Sequence, residues 1–115
     1  MNKKKSHSLI DKSVLKQVFG KDDISKQEYL KSFIELTAER LTDANLAVKA
    51  RDKTLVIKHL HQLKGPIGTI GFVKMYKLCE KLEEELEHSD WSHADKTFSD
   101  LEKLLKKLEK ELTEA

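Results

Sequence analysis

Apolar side chains recur at steps of three and four residues through most of this chain, and no other feature restricts its fold as far. Leu30, Phe33, Ile34, Thr37, Leu41, Ala44 and Val48 keep that step, which amounts to one apolar stripe over about five helical turns. Trp91, Ala94, Phe98, Leu101, Leu105, Leu108 and Leu112 repeat it near the C-terminus. A strand would need alternation by two. Only one proline and four glycines interrupt the 115 residues, so the expected class is all-α. Each stripe needs a facing partner, and the seam formed by the last set suits a left-handed bundle. The pattern therefore predicts an antiparallel up-down four-helix bundle with a short additional N-terminal helix.

In chain order, residues 1–8, with Lys3, Lys4 and Lys5, are expected to form a disordered basic tail, and residues 9–115 the folded domain. Ile10 and Asp11 offer a hydrophobic staple and an N-cap, with Leu15 in reach of Ile10. Gly20 closes a first helix bearing Val14, Leu15, Val18 and Phe19. So short a helix cannot bury these side chains alone; they pack on the bundle or wait for a partner, and the sequence leaves both open. A long second helix is expected from Asp23 or Ser25, the latter standing three residues before Glu28 as in a capping box. It runs to about Ala50, where Arg51 is the connection and Asp52 caps the third helix. The fourth begins near Gly71 and directs Phe72, Met75, Leu78, Cys79, Leu82 and Leu86 inward. Ser89 and Asp90 make the next turn and cap.

Charge narrows the partners. The net charge is +2, from 22 basic and 20 acidic side chains spread along the same helices, so no strong field for nucleic acid or an acidic membrane is expected. No apolar run approaches the ~20 residues of a membrane helix, and no signal-peptide core follows the lysines. Cys79 stands alone, which excludes an internal disulfide and suits a reducing, cytoplasmic setting. The C-terminal leucine seam is read as a wall of the bundle in preference to a homodimerising coiled coil, so a monomer is expected.

The third helix carries an unusual stretch, His61-Gln62-Leu63-Lys64-Gly65-Pro66-Ile67-Gly68-Thr69-Ile70-Gly71. Each helical glycine costs up to about 1 kcal/mol against alanine, so a bare surface must be wanted there. At about 100° per residue, Val56, His59, Leu60, Leu63 and Ile67 fall opposite His61. Thr54, Ile57, Lys58, Lys64, Gly65 and Gly68 lie within about 60° of it. His59 thus reads as a packing residue and His61 as an exposed imidazole in an open notch. Neutral imidazole is a good nucleophile near neutral pH, and Lys64 or Lys58 would offset the charge of an arriving phosphoryl group. The glycines clear room for a macromolecular donor. The chain shows no metal-ligand spacing, since His59 and His61 diverge and His88 and His93 lie in or near a polar turn. It also has no nucleotide-binding glycine loop or Walker lysine.

His61-x-Leu63-Lys64-Gly65, followed by a second small cluster ending in Gly71, resembles the signature of the histidine-containing phosphotransfer (HPt) domain. Val14 to Gly20 resembles the family's leading helix, Tyr29-Leu30-Lys31-Ser32-Phe33 the start of its second, and Leu78-Cys79-Glu80-Lys81-Leu82-Glu83 its fourth-helix signature. The likeness covers about residues 9 to 112. It implies a bundle whose exposed histidine accepts a phosphoryl group from a response-regulator receiver aspartate and passes it to another, without ATP-dependent kinase activity of its own. By position His61 would be phosphorylated, through Nε2, Lys64 would be the cation beside the phosphoryl group, and Gly65 the clearance residue. Glu83 stands where many members have a glutamine or glutamate that bonds the imidazole; a solvated helix glutamate is the other reading. The implied partners are receiver domains and a hybrid sensor histidine kinase. No cofactor is expected, the Mg²⁺ belonging to the receiver.

Pro66 departs from the family pattern, where serine or alanine is usual. It removes the amide that would bond the Gln62 carbonyl, so a bent third helix continuing to about Thr69 is expected. Ile57, Lys58 and Gly68 near His61, with Val14, Leu15 and Phe19 of the first helix as an apolar rim, form the expected docking surface. A helical module that binds a receiver or kinase without chemistry, or a coiled-coil dimerisation scaffold, is the alternative function.

Overall fold

Residues 9–114 are described by the structure, a computed structural model. The expected basic tail, residues 1–8, lies outside them. The helices are α1 (Lys12–Phe19), α2 (Asp23–Lys49), α3 (Lys53–Thr69), α4 (Val73–Glu87) and α5 (Trp91–Glu114). α2 packs on α3, α3 on α4 and α4 on α5, and α5 returns to α2 to close an antiparallel four-helix bundle. The short α1 lies against α2.

The helix ends follow from a few side chains. Asp11 and Asp52 accept from the amides of Ser13 and Leu55, as N-caps should. The cap of α2 is Asp22, whose carboxylate accepts from the Ser25 amide at 3.0 Å. The expected start at Asp23 holds, and the capping box at Ser25 does not, because Ser25 is the donor to a cap three residues upstream. Asp90 caps α5 through the His93 amide.

The turns leaving α2, α3 and α4 share one device. Arg51 (φ 55°), Gly71 (φ 71°) and Ser89 (φ 54°) sit in the left-handed region. Around each, the following amide reaches back five residues, Asp52 to Ala47, Phe72 to Ile67 and Asp90 to Glu85. These are Schellman closures, which satisfy the last carbonyls and reverse the chain in very few residues. Arg51 is further tied by a bidentate pair with Asp95 and lies 4.9 Å above the Trp91 ring.

The stripes form the core. Leu30, Phe33, Thr37, Leu41, Ala44 and Val48 of α2 are buried, and Ile34 is half-buried. Phe72, Met75, Cys79, Leu82 and Leu86 are sealed in the interior, while Leu78 is half-exposed. α1 answers the question its sequence left open: Leu15 is buried with Ile10, and Val18 faces solvent at 56% exposure. The Leu9 amide donates to Glu111 Oε1 at 3.1 Å, and the Asp11 amide to the Gly71 carbonyl at 3.2 Å. The segment before α1 is thereby pinned to the α3–α4 turn and to the end of α5.

Burial pushes the Cys79 thiol up to about 12, so almost no thiolate forms near neutral pH. Cys79 is expected to ignore a thiol-exchange dye in the folded protein and to react fully in denaturant. Fast colour development without denaturant would mean that α4 is not seated as described.

Candidate functional site

α3 is held by its buried side. Val56, Leu60 and Ile67 are fully buried and Leu63 nearly so, which fixes the rotation of the helix and turns His61 outward. The His61 side chain is 65% exposed. Gln62 is tied to Arg40 of α2. Pro66 lies inside α3, which runs on to Thr69 as expected. The proline cannot donate to the Gln62 carbonyl. The Gly65 carbonyl accepts from Thr69 Oγ1 at 3.0 Å.

Glu83 of α4 brings the site together. Its Oε1 accepts from Lys64 Nζ at 2.9 Å, and its Oε2 lies 3.0 Å from His61 Nε2. That second contact has ion-pair distance without hydrogen-bond alignment, and buried Oε2 has no hydrogen-bond partner. In this ring orientation the contact is a close approach and not a hydrogen bond. Glu83 and Lys64 are only 15% and 22% exposed, so both charges sit against the bundle while the ring stands out beside them. The hydrogen bond to Glu83 raises the Lys64 ammonium pKa against the opposing effect of burial. Lys64 stays charged at any physiological pH. Its Nζ also lies 5.5 Å from the centroid of Tyr76.

The two glycines differ. A Cβ on Gly68 would make ordinary contact with the Tyr76 ring, at 3.6 Å. A Cβ on Gly65 would meet nothing within 4 Å. The protein's own packing therefore does not require Gly65 to be bare; the emptiness is on the outside, next to His61.

The expected docking residues separate. Lys58 is exposed, whereas Ile57 is half-buried and packs on the core, so it is only partly free for a partner. Leu15 is corrected: it is buried at 8% exposure, because α1 is too short to hold itself to the bundle without it. Phe19 is half-buried with its ring 5.5 Å from that of Tyr29. Val14 is half-buried beside Gly71. His59 is half-buried as a packing residue, its Nδ1 enclosed without a partner. Tyr76 escaped sequence reasoning. Its one signal was the bare Gly68 of the neighbouring helix, which leaves space an aromatic ring can fill.

Among the described residues, no group of three or more His, Cys, Asp or Glu side chains is arranged to hold a metal ion. Nor, among them, is any helix long and apolar enough to cross a membrane.

Comparison with known proteins bears on the family and the fold. Residues 28–114 match the sequence pattern of the Hpt domain. Multistep phosphorelay regulator 1 of Schizosaccharomyces pombe (strain 972 / ATCC 24843) is 33% identical over an alignment 79 residues long that covers 65% of this chain and 27% of that protein. The chain thus spans about a quarter of that curated relative's length. The crystal structure of histidine-containing phosphotransfer protein B from Pseudomonas aeruginosa PAO1 superposes with a TM-score of 0.83 over 94% of each chain, at 20% identity. That likeness is one of fold.

Proposed function

The chain belongs to the Hpt domain family, and from that premise we propose that it is a histidine phosphocarrier of a two-component phosphorelay, with His61 as the phosphorylated residue. The observation that carries this reading is the exposed His61 ring beside the half-buried Lys64–Glu83 pair, next to a glycine with open space over it.

The lone pair of one ring nitrogen attacks the phosphorus of a receiver's aspartyl phosphate. An N–P bond forms as the P–O bond breaks, and the aspartate leaves as a free carboxylate. The ring, now bearing the phosphoryl group on one nitrogen and a proton on the other, is cationic. Glu83 faces that N–H and balances its charge, and Lys64 attracts the phosphoryl oxygens. Attack through Nε2 requires the side chain to leave the described orientation, in which Nε2 is the nitrogen at Glu83. Reorientation of the whole side chain, about Cα–Cβ as well as Cβ–Cγ, turns Nε2 outward and presents Nδ1–H to the carboxylate. Return to a second receiver reverses each step. The partners are receiver domains and a hybrid sensor kinase, the Mg²⁺ is held by the receiver, and the carrier works as a cytoplasmic monomer without kinase activity of its own.

The test is incubation with a panel of phosphorylated receiver domains. Alkali-stable, acid-labile label on the wild type, with ³¹P spectroscopy naming the nitrogen, supports the reading. Receiver binding without any label would instead mark a non-catalytic interaction module. Glu83 gives a second check. Glu83→Ala should slow transfer by about tenfold, with Glu83→Gln in between, since charge and shape are lost separately. Unchanged rates in both would reduce Glu83 to a surface partner for Lys64.

A further inference from the structure

α4 and α5 meet along a groove of about 510 Å³ whose walls are lysine. Lys74, Lys77 and Lys81 rise from α4, Lys103 and Lys107 from α5, and Leu78 and Leu104 lie along the floor. Asp100 is the one acidic residue in the lining, and it is engaged by Lys96 at 3.2 Å. The five lysines are exposed, and among the described residues none of them is in an ion pair. A chain with net charge +2 has the acidic side chains to alternate signs here, yet it sets like charges on successive turns. Such spacing is unfavourable in the free protein.

We infer that this groove docks an acidic amphipathic helix of a partner protein. An apolar ridge on that helix would lie over Leu78 and Leu104, with carboxylates meeting lysines on both walls. A helix fits better than a lipid surface because Leu104 is sunk to 9% exposure between the two helices. A flat bilayer cannot reach past the lysines to it, and a ridge can. From Lys74 to Lys81 the wall runs about 10 Å, enough for roughly two turns of a docked helix.

The groove lies away from the histidine. Around α4, Tyr76 and Glu83 face the His61 side, and the three lysines are displaced from them by about 100–180°. A helix in the groove therefore leaves the His61 face open to a receiver. Such a site would tether the carrier to a donor or scaffold while the phosphoryl group passes elsewhere on the molecule. The inference does not depend on which receiver His61 serves.

A fluorescent synthetic peptide of about five turns, with a leucine ridge flanked by glutamates, serves as the probe. Saturable binding that weakens with salt is expected, with amide shifts confined to residues 74–81 and 100–107. The fourfold variant K77E/K81E/K103E/K107E changes only exposed positions and should bind roughly tenfold more weakly or worse, while accepting phosphoryl label on His61 as before. Equal binding of a scrambled peptide of the same composition, or unaltered binding by the variant, would overturn the inference. Binding of phosphatidylserine vesicles or duplex DNA without binding of the peptide would overturn it as well.

Discussion

His61→Gln is expected to abolish phosphoryl acceptance while leaving the bundle as stable as before. The replaced ring is 65% exposed on its side chain and contributes nothing to the core, and glutamine is at least as good a helix former as histidine. The change in stability should stay within about 0.5 kcal/mol. No described residue can take over. His59 is half-buried on the opposite side of α3, and His88 and His93 lie at the α4–α5 turn, where His93 Nδ1 is already against Asp90. Because the nucleophile itself is removed, the initial rate of label transfer from a phosphorylated receiver should fall by about a thousandfold or to assay background. Thermal unfolding followed by circular dichroism supplies the control. If the variant melts like the wild type yet keeps more than about a tenth of the transfer rate, His61 is not the acceptor.

Much of this arrangement was legible in the chain because it rests on period and on caps, both local. The α2 stripe and the Asp11, Asp52 and Asp90 caps follow from side chains within a few residues of one another. The outward rotation of His61 follows from the buried positions of its own helix. What depends on contacts between helices was harder to read. Glu83 could be placed on α4, but only the packing of α4 on α3 shows that one carboxylate reaches both Lys64 and His61. Leu15 looked available because the Ile10 staple brings together only those two side chains, and nothing local says whether an eight-residue helix then seats on the bundle. The Ser25 capping box failed because an aspartate three residues upstream competes for the same amide and wins. The ring orientation at His61, with Nε2 toward Glu83, has no sequence signal at all.

Gly71→Ala should be the most damaging single-methyl change at the helix turns, although Gly71 lies in the turn beyond the helix that carries His61. Two costs act there. A non-glycine residue in the left-handed region loses about 1–2 kcal/mol, a cost the fold already bears at Arg51 and Ser89. The second cost is specific to this turn. A Cβ on Gly71 would stand 2.7 Å from Asp11 Cβ, 3.3 Å from Val14 Cγ2 and 3.4 Å from the Asp11 amide nitrogen. Asp11 Cβ is next to the backbone and cannot swing away without moving the N-cap of α1 and the Asp11-to-Gly71 hydrogen bond. Overpacking of this kind costs about 1–3 kcal/mol, so a total of about 2–5 kcal/mol is expected by urea unfolding, with part of the loss appearing as detachment of α1. Ser89→Gly separates the two costs: it relieves the backbone alone and should stabilise by no more than about 1 kcal/mol. A Gly71→Ala loss no larger than that backbone cost would mean that α1 does not pack on the α3–α4 turn as described. The same turn sets where α4 begins and, three helical turns on, where Glu83 meets His61. Gly71→Ala is therefore expected to slow phosphoryl transfer even at temperatures where the bundle stays folded, an effect that His61-directed chemistry alone would not produce.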